Sequence, residues 1–141
     1  LYRTATQNGS YDEMKNLADC IIDDKPALAQ EAADILDFLL SKGYYTSSVL
    51  LKLSKLYRNP KYKMLDIQKS IEKLEIAIKL GNYVAKSNLA FYYYKGIGVK
   101  QDIKIAYKLL KEANDADIQK WGGKGSWSEE LKKLEEETKK R

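Results

Sequence analysis

The sequence predicts an all-α fold, a stack of three helical hairpins, and three observations carry that expectation. Only two prolines and eight glycines occur among 141 residues, too few for a turn-rich β fold, while the good helix formers Ala, Leu, Lys and Glu dominate. The chain resembles itself at an interval of 36 residues. Within each unit the apolar residues recur with the spacing of a helix face.

The repeat is read by laying "LAFYYYKGIGVKQDIKIAYKLLKEA" over "LSKLYRNPKYKMLDIQKSIEKLEIA". Leu53 falls on Leu89, Tyr57 on Tyr93, Asp66 on Asp102, Leu74 on Leu110 and Ala77 on Ala113, each pair 36 apart and without a gap. The start of the chain joins the same frame at twice the interval: Ala5/Ala77, Gly9/Gly81, Tyr11/Tyr83, Asn16/Asn88 and Leu17/Leu89 all differ by 72.

The elements follow in order. Residues 1–10 read as the end of a preceding repeat helix, because Ala5 takes the slot of Ala77, and at least one further repeat is expected upstream. Residues 11–117 hold three hairpins, about 11–46, 47–82 and 83–117, with helices near 12–23 and 27–42, 47–58 and 66–80, and 84–95 and 102–114. Ala85, Leu89, Ala90 and Tyr93 share one face of the fifth of these helices. Asp102 is the natural N-cap of the sixth, and Ile103, Ala106, Tyr107, Leu110 and Ala113 form its apolar stripe. One hairpin cannot cover its own apolar face, so stacked hairpins are expected to share a core. Residues 118–141 read as a linker and a C-terminal capping helix. There Ser126 and Glu129 have capping-box spacing, and Trp127, Leu131 and Leu134 make one narrow apolar stripe.

The loop "KGIGVKQD" raises the question of phosphate binding. It lacks the third glycine of a dinucleotide fingerprint and the Lys-Ser/Thr of a P-loop, and a helix precedes it. Gly96 and Gly98 are better read as residues that close a helix and turn the chain. The segment "AKSNLAFYYYKGIGVKQDIKIAYKLLKEA" resembles the Sel-one-like repeat, a relative of the tetratricopeptide repeat. Ala85, Leu89, Tyr93, Gly96, Gly98, Val99, Asp102, Ala106 and Ala113 match that family's pattern, while Ala90 replaces its first glycine and Leu109-Leu110 its aromatic pair. The preceding unit keeps Leu53, Tyr57, Asp66 and Ala77 but has Pro60 in place of Gly96, so its loop must fold differently. The resemblance implies a right-handed αα-superhelical solenoid of Sel-one-like, tetratricopeptide-like hairpins. It also implies a role as a protein-interaction scaffold, with bacterial cell-envelope, secretion or host-interaction settings among the family's uses.

Chemistry is sparsely signalled. There is no histidine, which removes the usual general base, the common nucleophile triads and most zinc sites. No cofactor and no catalytic residue is expected. Asp34 and Asp37 share a helix face and are read as solvated charge. The single Cys20 cannot form an intrachain disulfide, and its apolar neighbours suggest a buried small hydrophobe. No run approaches the ~18 apolar residues of a membrane span. The net charge of +5 permits an anionic partner without demanding one, and the scatter of the lysines argues against nucleic acid.

The aromatic residues point to a binding surface. In "FYYY", consecutive side chains lie about 100° apart around a helix and cannot all face inward. With Tyr57 and Tyr93 read as repeat core, Phe91, Tyr92 and Tyr94 are left for another role. The equivalent positions one repeat earlier are Lys55, Leu56 and Arg58, and Lys52 extends the strip. In solenoids of the family it resembles, this face of the first helix is concave. Lys52, Lys55, Arg58, Phe91, Tyr92 and Tyr94 are therefore the candidate contacts for another protein or a peptide, held by aromatic and cation–π interactions. The alternative is an anionic polymer, nucleic acid or polysaccharide, along a basic concave strip.

Overall fold

The structure, a computed structural model, describes residues 11–44 and 46–140. These residues contain seven α-helices and no β-strand: α1 (Tyr11–Asp24), α2 (Ala29–Ser41), α3 (Thr46–Arg58), α4 (Ile67–Lys79), α5 (Tyr83–Lys95), α6 (Ile103–Trp121) and α7 (Ser128–Lys140). The helix expected within residues 1–10 lies outside the described residues. No described helix is long and apolar enough to cross a membrane. The chain divides into two compact units, Leu1–Lys73 and Leu74–Arg141, the division falling inside α4.

In the first unit α1 packs on α2 and α2 on α3. Their shared core takes Met14, Ala18 and Ile22 from α1, Ala29, Ala32, Ala33 and Leu36 from α2, and Val49, Leu53 and Leu56 from α3. The alanines of α2 recur every three to four residues, which keeps one side of that helix thin and lets its neighbours approach closely. In the second unit α5 packs on α6 and α6 on α7. Ala90, Ile103, Ala106 and Leu110 meet Leu131 and Leu134 of α7, the apolar stripe expected of the C-terminal helix.

Hydrogen bonds repeat at the interval seen in the sequence. Asp66 N–H donates to the Tyr57 carbonyl at 2.7 Å, and 36 residues later Asp102 N–H donates to the Tyr93 carbonyl at 3.0 Å. Each aspartate then caps its helix, the Asp66 carboxylate accepting from Lys69 N–H at 3.1 Å and that of Asp102 from Ile105 N–H at 3.0 Å. The same backbone contact and the same cap thus end one loop and begin one helix in both hairpins. Burial repeats as well: Val49 and Ala85, Leu53 and Leu89, Ser54 and Ala90, Leu74 and Leu110, and Ala77 and Ala113 are all buried. Ser54 adapts to its slot by pairing with Ser70, their hydroxyls 2.8 Å apart, so a polar residue sits in the interior without an unmet bond.

The first hairpin keeps the overall interval by a compensation. Tyr44 N–H donates to the Leu39 carbonyl at 3.0 Å, as Asn82 N–H does to that of Ala77 at 3.0 Å, so Leu39 and Ala77 hold equivalent places at the end of a second helix. They are 38 residues apart, two more than the repeat. Between equivalent positions of its two helices the first hairpin is therefore two residues shorter than the second, and between its second helix and the next hairpin two residues longer. The loops between first and second helices also differ as expected. Gly96, at φ 71°, ends α5 in the left-handed conformation, whereas Pro60–Tyr62 forms a 3-10 turn closed by Lys63 at φ 58°.

Three expectations are corrected. The sixth helix runs to Trp121 rather than ending near residue 114. Where Gly81 ends α4, the position 36 residues on is Asp117, which has no reason to leave helical geometry and is buried. The capping box does not form. Ser126 donates both its N–H and its hydroxyl to Asp117 Oδ2, each at 2.8 Å, and α7 instead opens with Leu131 N–H bonded to the Trp127 carbonyl at 2.9 Å. Finally, Cys20 is exposed, although its counterparts Leu56 and Tyr92 are buried. It lines an open hollow with Leu17, Ile21 and Leu28 and the charged Asp24, Lys25 and Glu31.

Candidate functional site

The six candidate contacts fall into two groups, one in each unit. Lys52, Lys55 and Arg58 lie three residues apart on α3, one edge of a helix in the first unit. Phe91, Tyr92 and Tyr94 belong to α5 in the second. Within the first group Lys55 and Arg58 are exposed, but Lys52 is already paired with Asp19 of α1. Its ammonium contributes to holding α3 on the first hairpin.

Tyr92 is corrected outright: it is 1% exposed and is among the largest fully buried side chains. Its counterpart Leu56, read with it as an outward position, is 0% exposed. Tyr57 and Tyr93, expected in the core, are only partly buried and pack at its edge. Ala85, Leu89 and Ala90 are buried as expected, so the inward face is turned only enough to take Tyr92 in place of Tyr93, its neighbour about 100° away around the helix. Tyr94 is engaged too, its hydroxyl donating to Glu137 Oε1 at 2.7 Å and so tying α5 to α7. Phe91 alone of the three stands out, at 48% exposure, in the slot that Lys55 occupies one repeat earlier.

Asp34 and Asp37 are both exposed on α2. Gln30 donates to Asp34 at 3.0 Å. Desolvation raises the Asp37 carboxyl above its usual range, opposed by Lys73 and, more weakly, by Lys69. Desolvation also raises the Tyr57 hydroxyl, with Asp37, Asp66, Asp34 and Glu72 adding to it. No group of three acidic or cysteine side chains among the described residues could hold a metal ion.

A polar cluster at the end of α6 was not anticipated from the sequence. The Asp117 carboxylate accepts from the Ser126 hydroxyl and N–H and, at 3.1 Å through Oδ1, from the Tyr83 hydroxyl. One turn earlier, buried Asn114 accepts from Trp127 N–H at 2.9 Å and donates to the Lys124 carbonyl at 3.2 Å. These side chains fold "GGKGSW" against α6, and the Trp127 ring meets Tyr83 edge-on at 6.0 Å. The Ser126 hydroxyl is the main reason the Asp117 carboxyl is held below its usual range; burial opposes this, and the Ser126 N–H, Tyr83 and Lys120 support it.

A pH dependence follows. Because the folded value is depressed, the contribution of Asp117 is fully present above the ordinary value of 3.8 and is lost as pH falls through the folded value. Both tryptophans lie in Leu74–Arg141, so their fluorescence reports that unit. Asp117→Asn is expected to destabilise the unit at neutral pH and to remove part of its stability loss below that value. An acid titration of tryptophan emission that is identical in wild type and variant would contradict the assignment.

Comparison with models of known protein families, and with curated proteins, finds no match to this chain.

Proposed function

We propose that the protein is a non-catalytic scaffold of Sel-one-like, tetratricopeptide-like repeats that holds a partner protein or peptide on the outer edges of its first helices. The observation that carries this reading is the division between constant and variable positions. Residues 36 apart that are buried are chemically alike or interchangeable in packing, as in Leu53/Leu89 and Ser54/Ala90, whereas the exposed Lys55 and Phe91 differ completely. A constant frame presenting different side chains at equivalent places is what a recognition surface built from repeats requires. A half-exposed phenylalanine on such a frame is a suitable anchor, since aromatic contacts dominate interface energetics.

The working residues of this proposal are Lys55 and Arg58 in the first unit and Phe91 in the second, each on the exposed side of its own helix. Tyr92 is withdrawn because it is core, and Lys52 and Tyr94 act mainly within the protein. Bacterial cell-envelope or secretion assemblies remain the setting that the repeat resemblance suggests.

Affinity capture at about 200 mM salt, followed by titration of the purified partner, tests the reading. Phe91→Ala is expected to weaken binding about 30-fold, the effect of losing an anchor of about 2 kcal/mol. Lys55→Glu is expected to act in the same direction. If neither variant changes affinity, the edges of the first helices are not the binding surface. If the captured ligand is instead a nucleic acid or polysaccharide released between about 50 and 200 mM salt, the anionic-polymer reading replaces this one.

A further inference from the structure

A second surface is independent of the scaffold reading. Trp121, at the end of α6, is 72% exposed, yet its ring is held in place. Its indole Nε1 donates to the Tyr83 hydroxyl at 3.2 Å, and that hydroxyl donates to Asp117, itself fixed by Ser126. An exposed indole anchored through a buried carboxylate has already lost much of the freedom that binding would otherwise remove.

The Trp121–Tyr83 bond brings two short segments together, 79–84 ("KLGNYV") and 118–127 ("IQKWGGKGSW"). Together they carry Lys79, Lys120 and Lys124 and no acid; Asp117, the residue just before the second segment, is buried and bonded. None of the three lysines has a carboxylate partner within 4.0 Å among the described residues. Lys120 instead lies 5.1 Å from the centre of the Trp121 ring. Acids on the adjoining turns of α6 are taken up elsewhere, Glu112 by Lys86 and Asp115 by Lys111. The same two segments expose Leu80 at 56% and Val84 at 38%. The two segments thus hold aliphatic, aromatic and cationic groups and no acidic side chain, the nearest exposed carboxylates along the chain, besides Asp115, being Glu75 on α4 and Glu129 and Glu130 on α7.

We infer that Trp121, Leu80 and Val84, with the ammonium groups of Lys79, Lys120 and Lys124, form a docking surface for an acidic peptide bearing an apolar side chain. The apolar group lies on the indole and the aliphatic residues, and the flanking carboxylates meet the lysines. A single-stranded nucleic acid suits the surface less well. It gains from successive stacking platforms, and these segments offer one exposed ring beside aliphatic groups that bases do not need.

The probe is a fluorescein-labelled acetylated pentapeptide, EDFDE, followed by anisotropy on the intact protein. Comparison probes are EDSDE, KKFKK and oligothymidylate. Wild type is expected to bind EDFDE at least about tenfold more tightly than either comparison peptide. Trp121→Ala and Lys120→Glu should each weaken that binding about tenfold, with helix content unchanged by circular dichroism. Tyr83→Phe, which releases the indole without removing it, should weaken it by a smaller factor. Phe91→Ala should leave it unchanged, which separates this surface from the scaffold face. Absence of EDFDE binding at millimolar protein, or binding indifferent to both Trp121→Ala and Lys120→Glu, overturns the inference. So does tighter, Trp121-dependent binding of oligothymidylate, which would assign the surface to nucleic acid.

Discussion

Tyr92→Ala is expected to lower the stability of the Leu74–Arg141 unit by about 3–5 kcal/mol, the range for truncating a buried aromatic side chain. The residue is 1% exposed, so the substitution leaves a cavity that the surrounding helices cannot fully close. Because a whole domain is stable by only about 5–15 kcal/mol, such a loss brings this unit close to unfolding at moderate temperature. Urea denaturation followed by tryptophan emission measures it, since Trp121 and Trp127 both belong to that unit. Phe91→Ala, one residue away but half exposed, should change stability by no more than about 0.5 kcal/mol. The contrast matters for the scaffold reading: substitution at Tyr92 acts on folding, and substitution at Phe91 on binding. Equal and small effects at the two positions would show that the face of α5 has been assigned incorrectly.

Gly125→Ala is the second large effect, about 3–4 kcal/mol. The backbone at Gly125 has φ +87°, and a Cβ there would stand 2.1 Å from Asn114 Oδ1 and 2.4 Å from its Cγ. Left-handed geometry costs a residue with a Cβ about 1–2 kcal/mol. Asn114 cannot move aside freely, because its amide holds both Trp127 N–H and the Lys124 carbonyl, each bond contributing about 1 kcal/mol. Gly123→Ala serves as the control. It shares a positive φ of +77°, but open space surrounds the added methyl, so only the backbone strain should appear. Thermal melts monitored at tryptophan wavelengths should rank wild type above Gly123→Ala, and that above Gly125→Ala. Equal melts for the two variants would mean that Asn114 does not clamp the loop.

Much of the architecture was legible because it is local. Six helices lie within a few residues of the expected positions at their starts, since caps and breakers such as Asp102 and Gly96 act on their immediate neighbours. The repeat was legible because equivalent loops need the same contacts, and Asp66 and Asp102 make them. What failed depended on rotation or on distance. Tyr57 and Tyr93 are identical, and that identity suggested the core, but the buried pair is Leu56 and Tyr92, whose types differ while their packing role is shared. Adjacent residues point about 100° apart around a helix, and four adjacent aromatics give periodicity little to choose between.

The end of α6 is written in a single residue. The slot of Gly81 holds Asp117, and without a residue suited to positive φ the helix has no local reason to stop. The capping box at Ser126 was unreadable for a different reason. Its competitor, the Asp117 carboxylate, lies nine residues away and reaches Ser126 only after the chain has turned back. The surface at Trp121 likewise depends on a bond to Tyr83 across 38 residues.

The repeat frame itself is best tested by scalar couplings across hydrogen bonds in an isotopically labelled sample. Couplings are expected both from Asp66 N to the Tyr57 carbonyl carbon and from Asp102 N to that of Tyr93, the two bonds 36 residues apart. Detection of one with clear absence of the other, in a folded sample, would mean that the two hairpins do not share a frame.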